Sequence, residues 1–404
     1  MLAACSGPHG GSGTARGTGG GAATPSPAAP NAPATSLGSG EGMLRLVVMP
    51  GPVQNGNVNP QADWVTPFEK QAGCRVELTN AYSDAQAESD IAGGGAAYDG
   101  ILASPEVAGQ LIAARAVAPL NVGLINGYGA LNPTLRSAPS QVSGGTVYGI
   151  PYLWDSYVAG YNSGQVKPMP QGWSAVFAPP SAARYVGKIT LPDSTATIAL
   201  AALYLKSARP SLGISDPFEL DKTQFAAAVQ AVNAVRRSVD TFWTQDSSVI
   251  GQLGDGQDVL GGVMNHQIDE MASAGLPVAA VPAPATVGRS GPAIAYVESW
   301  LMSAKAAHPS CMYRWLSWSA SEYVQERAST WTNDAPVNPM ACTGPVSGTC
   351  DRFGEAGLAS TRNVVFEHLP VSNCGDGRTG CVAYAQWQAA WRRIVGVRTG
   401  VRTG

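Results

Sequence analysis

The sequence predicts an α/β protein built on parallel β-sheet. The apolar run Leu44–Val48 is typical of a buried strand, and Trp64, Val65 and Phe68 share one face of a helix. Arg75–Leu78 then alternates like a second strand, which completes a β-α-β unit with parallel strands. A further strand at Tyr98–Leu102 and a helix at Glu106–Ala116 continue the same alternation.

The second half of the chain repeats this alternation. Asp221 is a plausible N-terminal cap for the helix that follows it, and Pro309 suits the first turn of another helix. Tyr384, Trp387, Trp391 and Ile394 form a helical stripe that we interpret as core packing. The remaining predicted elements are strands at Lys188–Leu191, Val259–Met264 and Pro277–Val281, a helix at Thr195–Leu205, a helical face at Phe225, Val229, Val232 and Val235, and an apolar run at Ile294–Met302.

Composition excludes two broad classes of protein. The 404 residues are 45% hydrophobic and only 13% charged, with a formal net charge of −3. A nucleic-acid-binding protein usually shows a basic excess or a basic stripe, and this sequence has neither. No apolar run approaches the length of about 20 residues that spans a bilayer. We therefore expect no nucleic-acid partner and no membrane-spanning helix.

The N-terminal region predicts a lipid anchor on a flexible tether. Residues 2–6, LAACS, resemble a bacterial lipobox, in which Cys5 would be lipidated, so residues 1–5 are interpreted as the remnant of a lipoprotein signal. The alternative is that Cys5 is an ordinary thiol in a disordered tail. Residues 6–42 are rich in Gly, Pro, Ser and Ala and almost free of charge, which predicts a disordered linker before a folded body that starts near Met43.

The other cysteines favour an oxidising, extracytoplasmic compartment because they are even in number. Two pairs bracket short Gly-rich loops, so we predict the disulfides Cys342–Cys350 and Cys374–Cys381. Cys74 and Cys311 then remain either as a long-range pair or as two buried thiols. The sequence has no C-x2-C pair and its four histidines are scattered, so we expect no metal site and no cofactor. No hydrolase or nucleotide-binding motif is present, which predicts a protein that is not an enzyme.

Six segments, taken in order, resemble the spermidine/putrescine-binding family of bacterial extracellular solute-binding proteins. The stretch IPYLWDSYVAGYN is the most specific of them. The six segments are Phe68–Leu78, Ala96–Pro105, Tyr148–Asn162, Gly187–Leu205, Ala293–Ser303 and Ala335–Pro339. The resemblance implies a two-lobed type II periplasmic-binding-protein fold, with hinge strands and a cleft between the lobes. It places lobe 1 at residues 43–149 plus 294–345 and lobe 2 at residues 150–293 plus 346–404.

The resemblance also implies ligand-binding residues. The family carboxylate on the return strand falls on Glu298, its aromatic neighbour on Tyr296, and the acid after the Leu-Pro turn on Asp193. Ser104 matches a polar loop residue, and Asn265 matches a position whose preceding aromatic is replaced by methionine. Further candidates for the cleft are Trp154, Asp155 and Tyr157 beyond the hinge and Trp243 and Asp246 in a loop. A second family carboxylate is replaced by alanine, so a diamine or a monocation with a polar end fits better than spermidine.

The function implied by this resemblance is capture of a small cationic amine for an ABC importer. The expected partners are the solute, a permease and an ATPase, and the expected location is the outer face of the cell membrane or the periplasm, as a lipid-anchored monomer. The alternative is a cell-surface lipoprotein of the same fold that binds an amino acid, a sugar or another protein. A hydrolase is a weaker alternative, because no catalytic constellation can be located.

Overall fold

The structure, a computed structural model, describes residues 33–93, 98–281, 293–353, 364–374 and 380–396. Cys5 and the first part of the predicted linker lie outside these residues. Within them, the predicted alternation of strands and helices is confirmed. The strands are β1 Met43–Val48, β2 Arg75–Asn80, β3 Gly100–Ala103, β4 Val142–Ser143, β5 Thr146–Val147, β6 Gly149–Asn162, β7 Ile189–Pro192, β8 Val239–Trp243, β9 Leu260–Met264, β10 Val278–Ala280, β11 Ala293–Met302, β12 Ala335–Pro336 and β13 Val364–Phe366.

The helices begin mostly at polar or proline residues that cap or open a first turn. They are α1 Val65–Ala72, α2 Asp84–Ala92, α3 Pro105–Ala113, α4 Ser174–Phe177, α5 Pro179–Ala182, α6 Ala196–Ala208, α7 Lys222–Val235, α8 Asp246–Gly254, α9 Asn265–Ser273, α10 Pro309–Ser319, α11 Glu322–Thr332, α12 Ser347–Phe353 and α13 Tyr384–Gly396. No helix in the described part of the chain is both long and apolar enough to cross a membrane.

Two lobes share one continuous sheet, in the order β2-β1-β3-β11-β6-β9-β7-β8. Lobe 1 holds the parallel pairs β1–β2 and β1–β3, and lobe 2 holds the parallel pairs β7–β8 and β7–β9. The long strands β6 and β11 pair with each other in antiparallel fashion between the lobes. The predicted hinge strands at the first crossing and the return are therefore β6 and β11.

Each lobe has its own hydrophobic core. In lobe 1, Trp300 and Trp315 are fully buried and pack edge to face with ring centroids 5.3 Å apart. In lobe 2, Trp387 and Trp391 of α13 lie in the core, which confirms the interpretation of the C-terminal stripe as packing. The exact lobe boundaries predicted from the sequence stay a prediction, because β6 and β11 run through both lobes.

Three disulfides fix loops and long-range contacts. The predicted pairs Cys342–Cys350 and Cys374–Cys381 are both formed. The open question about the other two cysteines is also resolved, because Cys74 and Cys311 form a disulfide across a sequence separation of 237 residues. This bond ties the start of β2 to the first turn of α10.

The last ten residues of the predicted linker, 33–42, differ from the expectation because they contact lobe 1. The Glu41 carboxylate accepts hydrogen bonds from the backbone N–H groups of Ser310 and Cys311, at 2.9 and 2.8 Å. It thereby caps the first turn of α10, where free N–H groups and the helix dipole favour an anion. Asn121 Nδ2 donates to the Ala34 carbonyl at 2.9 Å. The ordered chain therefore begins before Met43.

The predicted cap Asp221 is confirmed as part of a capping box at the start of α7. Its carboxylate accepts from Gln224 N at 2.8 Å, and the Gln224 side chain accepts from Asp221 N at 2.9 Å. We expect Asp221→Ala to lower the free energy of unfolding by about 1 kcal/mol, since the backbone N–H of Gln224 loses its side-chain acceptor. Asp221→Asn, which keeps an acceptor, should lose less. Urea denaturation measures both, and an equal loss would contradict the capping role.

Candidate functional site

Titratable side chains gather where the parallel strands end. Asp84 follows β2, Glu106 follows β3, Asp246 follows β8 and His266 follows β9, each in the first turn of the next helix. Because the carboxyl ends of parallel strands meet at one edge of a sheet, these four side chains face the space between the lobes. The hinge strands β6 and β11 add Asp155 and the pair Tyr296 and Glu298.

One group, which we call the histidine cluster, consists of His266, Asp155, Asp246 and Asp334. His266 Nδ1 lies 2.6 Å from Asp155 Oδ2 and 3.2 Å from Asp334 Oδ1, and Nε2 lies 3.5 Å from Asp246 Oδ1. Asp155 is almost fully buried and also accepts from the backbone N–H groups of Ser156 and His266. One imidazole therefore faces three carboxylates.

The protonation of the histidine cluster follows from this crowding. Burial by itself would lower the pKa of His266, but attraction by Asp334 and hydrogen bonds to Asp155 and Asp246 raise the pKa well above 6.5. Burial raises the pKa of Asp155 to about 6 despite its contact with His266. At neutral pH the cluster thus contains an imidazolium and an excess of carboxylate charge.

A second group, the glutamate cluster, consists of Glu106, Glu367, Thr195, Tyr157 and Tyr384. Thr195 Oγ1 donates to Glu106 Oε2 at 2.9 Å, and the Tyr384 hydroxyl donates to Glu106 Oε1. Tyr157 and Glu367 are buried and hydrogen-bonded to each other. The Glu367 Oε2 atom is buried without a hydrogen-bond partner.

The carboxyl groups of the glutamate cluster hold protons more tightly than free glutamate. Burial, together with repulsion from Glu106 and Asp84, raises the pKa of Glu367 to about 8. Burial also raises the pKa of Glu106, although its bonds from Tyr384 and Thr195 oppose the shift. A cation bound beside these groups would favour their ionised forms and so oppose the rise in pKa.

Tyr296 and Glu298 lie between the two clusters on β11. The strand alternates, so both side chains are half-buried on one face while their neighbours are buried on the other. Glu298 Oε2 is buried without a hydrogen-bond partner, and burial plus repulsion from Asp334 raises the pKa of Glu298 to about 8. Burial and the negative charges of Glu298 and Asp84 raise the pKa of Tyr296 well above its usual value.

Both clusters join the two lobes directly. His266 belongs to lobe 2 and Asp334 to lobe 1, while Asp155 lies on the hinge strand β6. In the glutamate cluster, Thr195 of lobe 2 donates to Glu106 of lobe 1. The lobes are therefore in contact through polar side chains, in a closed arrangement.

Several residues predicted from the sequence lie at this site. Ser104 caps α3 through Val107 N and donates to Asp84 Oδ2 at 3.1 Å. Asp246 belongs to the histidine cluster, and Asn265 is the half-buried first residue of α9 beside His266. Glu298, Tyr296, Asp155 and Tyr157 lie on the hinge strands within or beside the two clusters.

The other three predicted residues have structural contacts. Trp154 is buried in the lobe 1 core, edge to face with Phe353, because its side chain points away from Asp155 on the alternating strand. Asp193 is exposed and accepts from Trp391 Nε1 at 2.8 Å. Trp243 Nε1 donates to the Gly262 carbonyl at 2.9 Å. The structure thus accounts for these three side chains by packing and hydrogen bonds within the lobes.

About half of the residues in the two clusters and beside them were not predicted from the sequence. The missed residues are Asp84, Glu106, Thr195, His266, Asp334, Glu367 and Tyr384. A signal existed for Asp84 and Glu106, since each is an acid in the first helical turn after a strand. No local pattern marks Asp334, Glu367 or Tyr384, which reach the cleft only through the long-range fold.

Two α/β lobes, joined by paired hinge strands and closing on a polar cleft, define the class of two-lobed solute-binding proteins. Residues 63–347 match the family described as bacterial extracellular solute-binding protein. The match covers more than half of the chain, and the protein belongs to this family.

Solved structures share the fold at low sequence identity. A putative spermidine/putrescine ABC transporter protein from Listeria monocytogenes is 15% identical, with a TM-score of 0.69, over 88% of this chain and 100% of that chain. The spermidine/putrescine transporter substrate-binding protein PotD from Streptococcus pneumoniae is 14% identical, with a TM-score of 0.66, over 87% and 99%. A binding protein from A. tumefaciens in complex with glucopine is 14% identical, with a TM-score of 0.63, over 87% and 99%.

Proposed function

We propose that the protein captures a small cationic amine in its cleft and delivers it to the permease of an ABC importer. The observation that carries this proposal is the acidic lining of the cleft, where Glu106, Glu298 and Glu367 lie beside tyrosine rings. Among the described residues, no lysine or arginine forms an ion pair with these three acids. Within the part of the chain that the structure describes, these glutamates thus have no lysine or arginine as an ion-pair partner, and an ammonium group of the solute would take that place.

The chemistry of an amine fits the two kinds of side chain present. An ammonium group donates charge-assisted hydrogen bonds to carboxylates, and its methylene neighbours pack against aromatic faces. Glu298 and Glu367 each have a buried oxygen without a partner, which is ready to accept such a bond. Tyr296 and Tyr157 provide the rings beside them. Two such carboxyl groups favour a diamine, which carries two ammonium groups.

The partners follow from membership of the family and from the structural relatives named for polyamine transport. The expected partners are a permease and an ATPase, with the protein acting as a monomer outside the cytoplasm. The lipobox-like sequence at Cys5 supports attachment to the membrane through a lipid. Mass spectrometry of the protein isolated from its host tests this attachment through the mass of the N-terminal peptide.

We expect putrescine or another small diamine to raise the melting temperature of the purified chain in a buffer that contains a metal chelator. A ligand at 100 times its Kd stabilises the native state by about 2.7 kcal/mol. The panel should also contain spermidine, choline, amino acids and neutral sugars. A shift with sugars and none with any amine would overturn the proposal.

Substitutions of single acids distinguish specific binding of the diamine by the site from nonspecific attraction to a negatively charged protein. Glu298→Gln and Glu106→Gln are expected to weaken diamine binding at least tenfold, since each removes one charge-assisted hydrogen bond worth about 1.5–3 kcal/mol. Glu322→Gln, on the exposed start of α11, is the matched control and should bind as the wild type does. Isothermal titration calorimetry measures the three affinities, and equal values would exclude the assigned roles.

A zwitterionic solute, such as an amino acid derivative, is the second candidate. His266 is the observation that favours it, because Nε2 of the imidazolium, whose nearest acid Asp246 is 3.5 Å away, can donate to a carboxylate of the solute. One structural relative is named for its complex with glucopine. If amino acids shift the melting temperature and diamines do not, this alternative replaces the diamine.

A further inference from the structure

We propose that Asp155, His266 and Asp334 form a binding site for a divalent transition-metal ion that clamps the two lobes onto the hinge. This site is separate from the glutamate cluster, and it does not depend on the identity of the solute. Each residue comes from a different part of the fold: Asp155 from hinge strand β6, His266 from lobe 2 and Asp334 from lobe 1.

The donor atoms already converge. One donor atom from each of the three residues lies within 4.8 Å of the other two. His266 Nδ1 is 2.6 Å from Asp155 Oδ2 and 3.2 Å from Asp334 Oδ1. A metal about 2.0–2.2 Å from tetrahedrally arranged nitrogen and carboxylate donors needs donor separations of roughly 3.4 Å, so only small side-chain shifts are required.

The surroundings orient these donors as they do in metal sites. A metal-bound histidine usually directs its second ring nitrogen toward a carboxylate, which fixes the ring. His266 Nε2 faces Asp246 Oδ1 at 3.5 Å, and Gln267 Nε2 holds that carboxylate at 2.6 Å. The second oxygen of Asp155 accepts from Ser156 N at 2.5 Å, which holds the buried carboxylate in place.

Glu298, which the diamine proposal also uses, is a further acid beside the histidine cluster. Its Oε2 atom is buried and has no hydrogen-bond partner, and the charged groups that act on it most strongly are Asp334 and His266. A buried carboxylate oxygen without a partner is costly, so it marks a place for a positive group. A metal at the histidine cluster would place a positive charge near this oxygen.

Other histidines of the described chain form simpler pairs. His308 contacts the buried Asp99 at 2.9 Å, and His368 contacts Asp216 at 3.4 Å. Neither pair belongs to a group of three metal-ligating side chains within the residues that the structure describes. These pairs therefore provide matched controls for a histidine–aspartate contact without a metal site.

The donor set selects the class of metal. Imidazole suits Zn²⁺ and other late first-row ions, whereas Ca²⁺ and Mg²⁺ prefer sites made of oxygen alone. Three protein donors leave at least one coordination position of the metal for a water molecule. We therefore expect Zn²⁺ to bind more tightly than Ca²⁺.

The test is a titration of the full chain, stripped of metal and without any amine, with ZnCl₂ and with CaCl₂ in separate calorimetry runs. We expect one Zn²⁺ per chain. His266→Gln should weaken Zn²⁺ at least tenfold, and Asp334→Asn, which retains the Asp155–His266 contact, should do the same. His308→Gln is the control and should bind Zn²⁺ as the wild type does.

Two further readouts separate a ligand role from a structural one. Pulsed EPR of the Cu²⁺-loaded protein should show coupling to an imidazole nitrogen that disappears in His266→Gln. Small-angle scattering should show that Zn²⁺ keeps the wild type compact and has no such effect on Asp334→Asn. The proposal would be overturned by the absence of Zn²⁺ binding tighter than about 1 mM or by equal Zn²⁺ affinity in His266→Gln and the wild type. It would also be overturned if Zn²⁺ compacted Asp334→Asn as much as the wild type. Since diamine binding is measured in chelator, the two proposals fail independently.

Discussion

Glu367→Gln is expected to remove a large part of the pH dependence of stability between pH 5 and pH 8. Glu367 is buried and holds its proton up to a pKa of about 8, whereas an unfolded glutamate has a pKa of 4.5. The folded state therefore binds more protons than the unfolded state throughout this interval. An amide at this position stays neutral and cannot contribute to that difference.

The direction follows from proton linkage. Stability rises with pH only where the unfolded state binds more protons, so here it must fall as pH rises. The contribution of Glu367 is fully present below the unfolded pKa of 4.5 and is lost as pH rises through the folded pKa of about 8. At 1.36 kcal/mol per pH unit, the loss between pH 5 and pH 8 reaches at most about 4 kcal/mol. Glu298, whose pKa is also raised to about 8, adds in the same direction.

Urea denaturation of the ligand-free protein at pH 5 and pH 8 measures this effect. The wild type should lose stability between the two values, and Glu367→Gln should lose distinctly less. Glu322→Gln, at an exposed position, is the matched control and should follow the wild type. An identical pH dependence in Glu367→Gln and the wild type would show that Glu367 is ionised in the empty cleft.

The same carboxyl group links stability to binding. A cation in the cleft favours the ionised form, so a saturating diamine should recover much of the stability that the wild type loses at pH 8. Glu367→Gln should show a smaller recovery, because its amide offers no charge to the ammonium group. At pH 8 the wild type should therefore be less stable than Glu367→Gln and should gain more stability from the diamine. This combination distinguishes an acid that binds the solute from one that only serves folding.

The strands and helices could be predicted because their signals are local. Apolar runs such as Leu44–Val48 and a cap such as Asp221 depend on neighbours in sequence, and the structure confirms both. Short disulfide loops are local in the same sense, so the Cys342–Cys350 bond could be predicted from the sequence. Whether Cys74 and Cys311 form a bond could not be decided, because they are 237 residues apart. The order of the ten residues before Met43 could not be predicted, because it depends on Glu41 capping helix α10, which is distant in sequence.

The site was only partly predictable because its residues meet through the fold. Glu298 is visible as an acid inside an apolar strand, and the structure leaves its carboxylate without a full set of partners. Asp334 and His266 are 68 residues apart and carry no pattern that connects them. Trp154 shows the opposite error, since it neighbours Asp155 in sequence but alternation directs it into the core. Burial and position along a strand, rather than residue type, decide which side chains reach the cleft.

The disulfide Cys74–Cys311 should contribute more to stability than either short one. It closes a loop whose ends are 237 residues apart in sequence, whereas Cys342 and Cys350 are 8 apart. A cross-link restricts the unfolded chain more when its loop is longer, which gives about 5 kcal/mol for the long loop and about 2.5 kcal/mol for the short one. Cys74→Ala/Cys311→Ala should therefore lose roughly twice the free energy of unfolding lost by Cys342→Ala/Cys350→Ala.

Local packing around the long-range bond should add to this difference. Both of its cysteines are fully buried, and Glu41 accepts a hydrogen bond from Cys311 N at 2.8 Å. Loss of the bond would free the first turn of α10 and the segment that Glu41 attaches to it. Urea denaturation compares the two double variants, and amide hydrogen exchange at residues 310 and 311 reports the local loss. Equal stability of the two variants would mean that restriction of the unfolded chain contributes little, and that the buried sulfur atoms act mainly by packing.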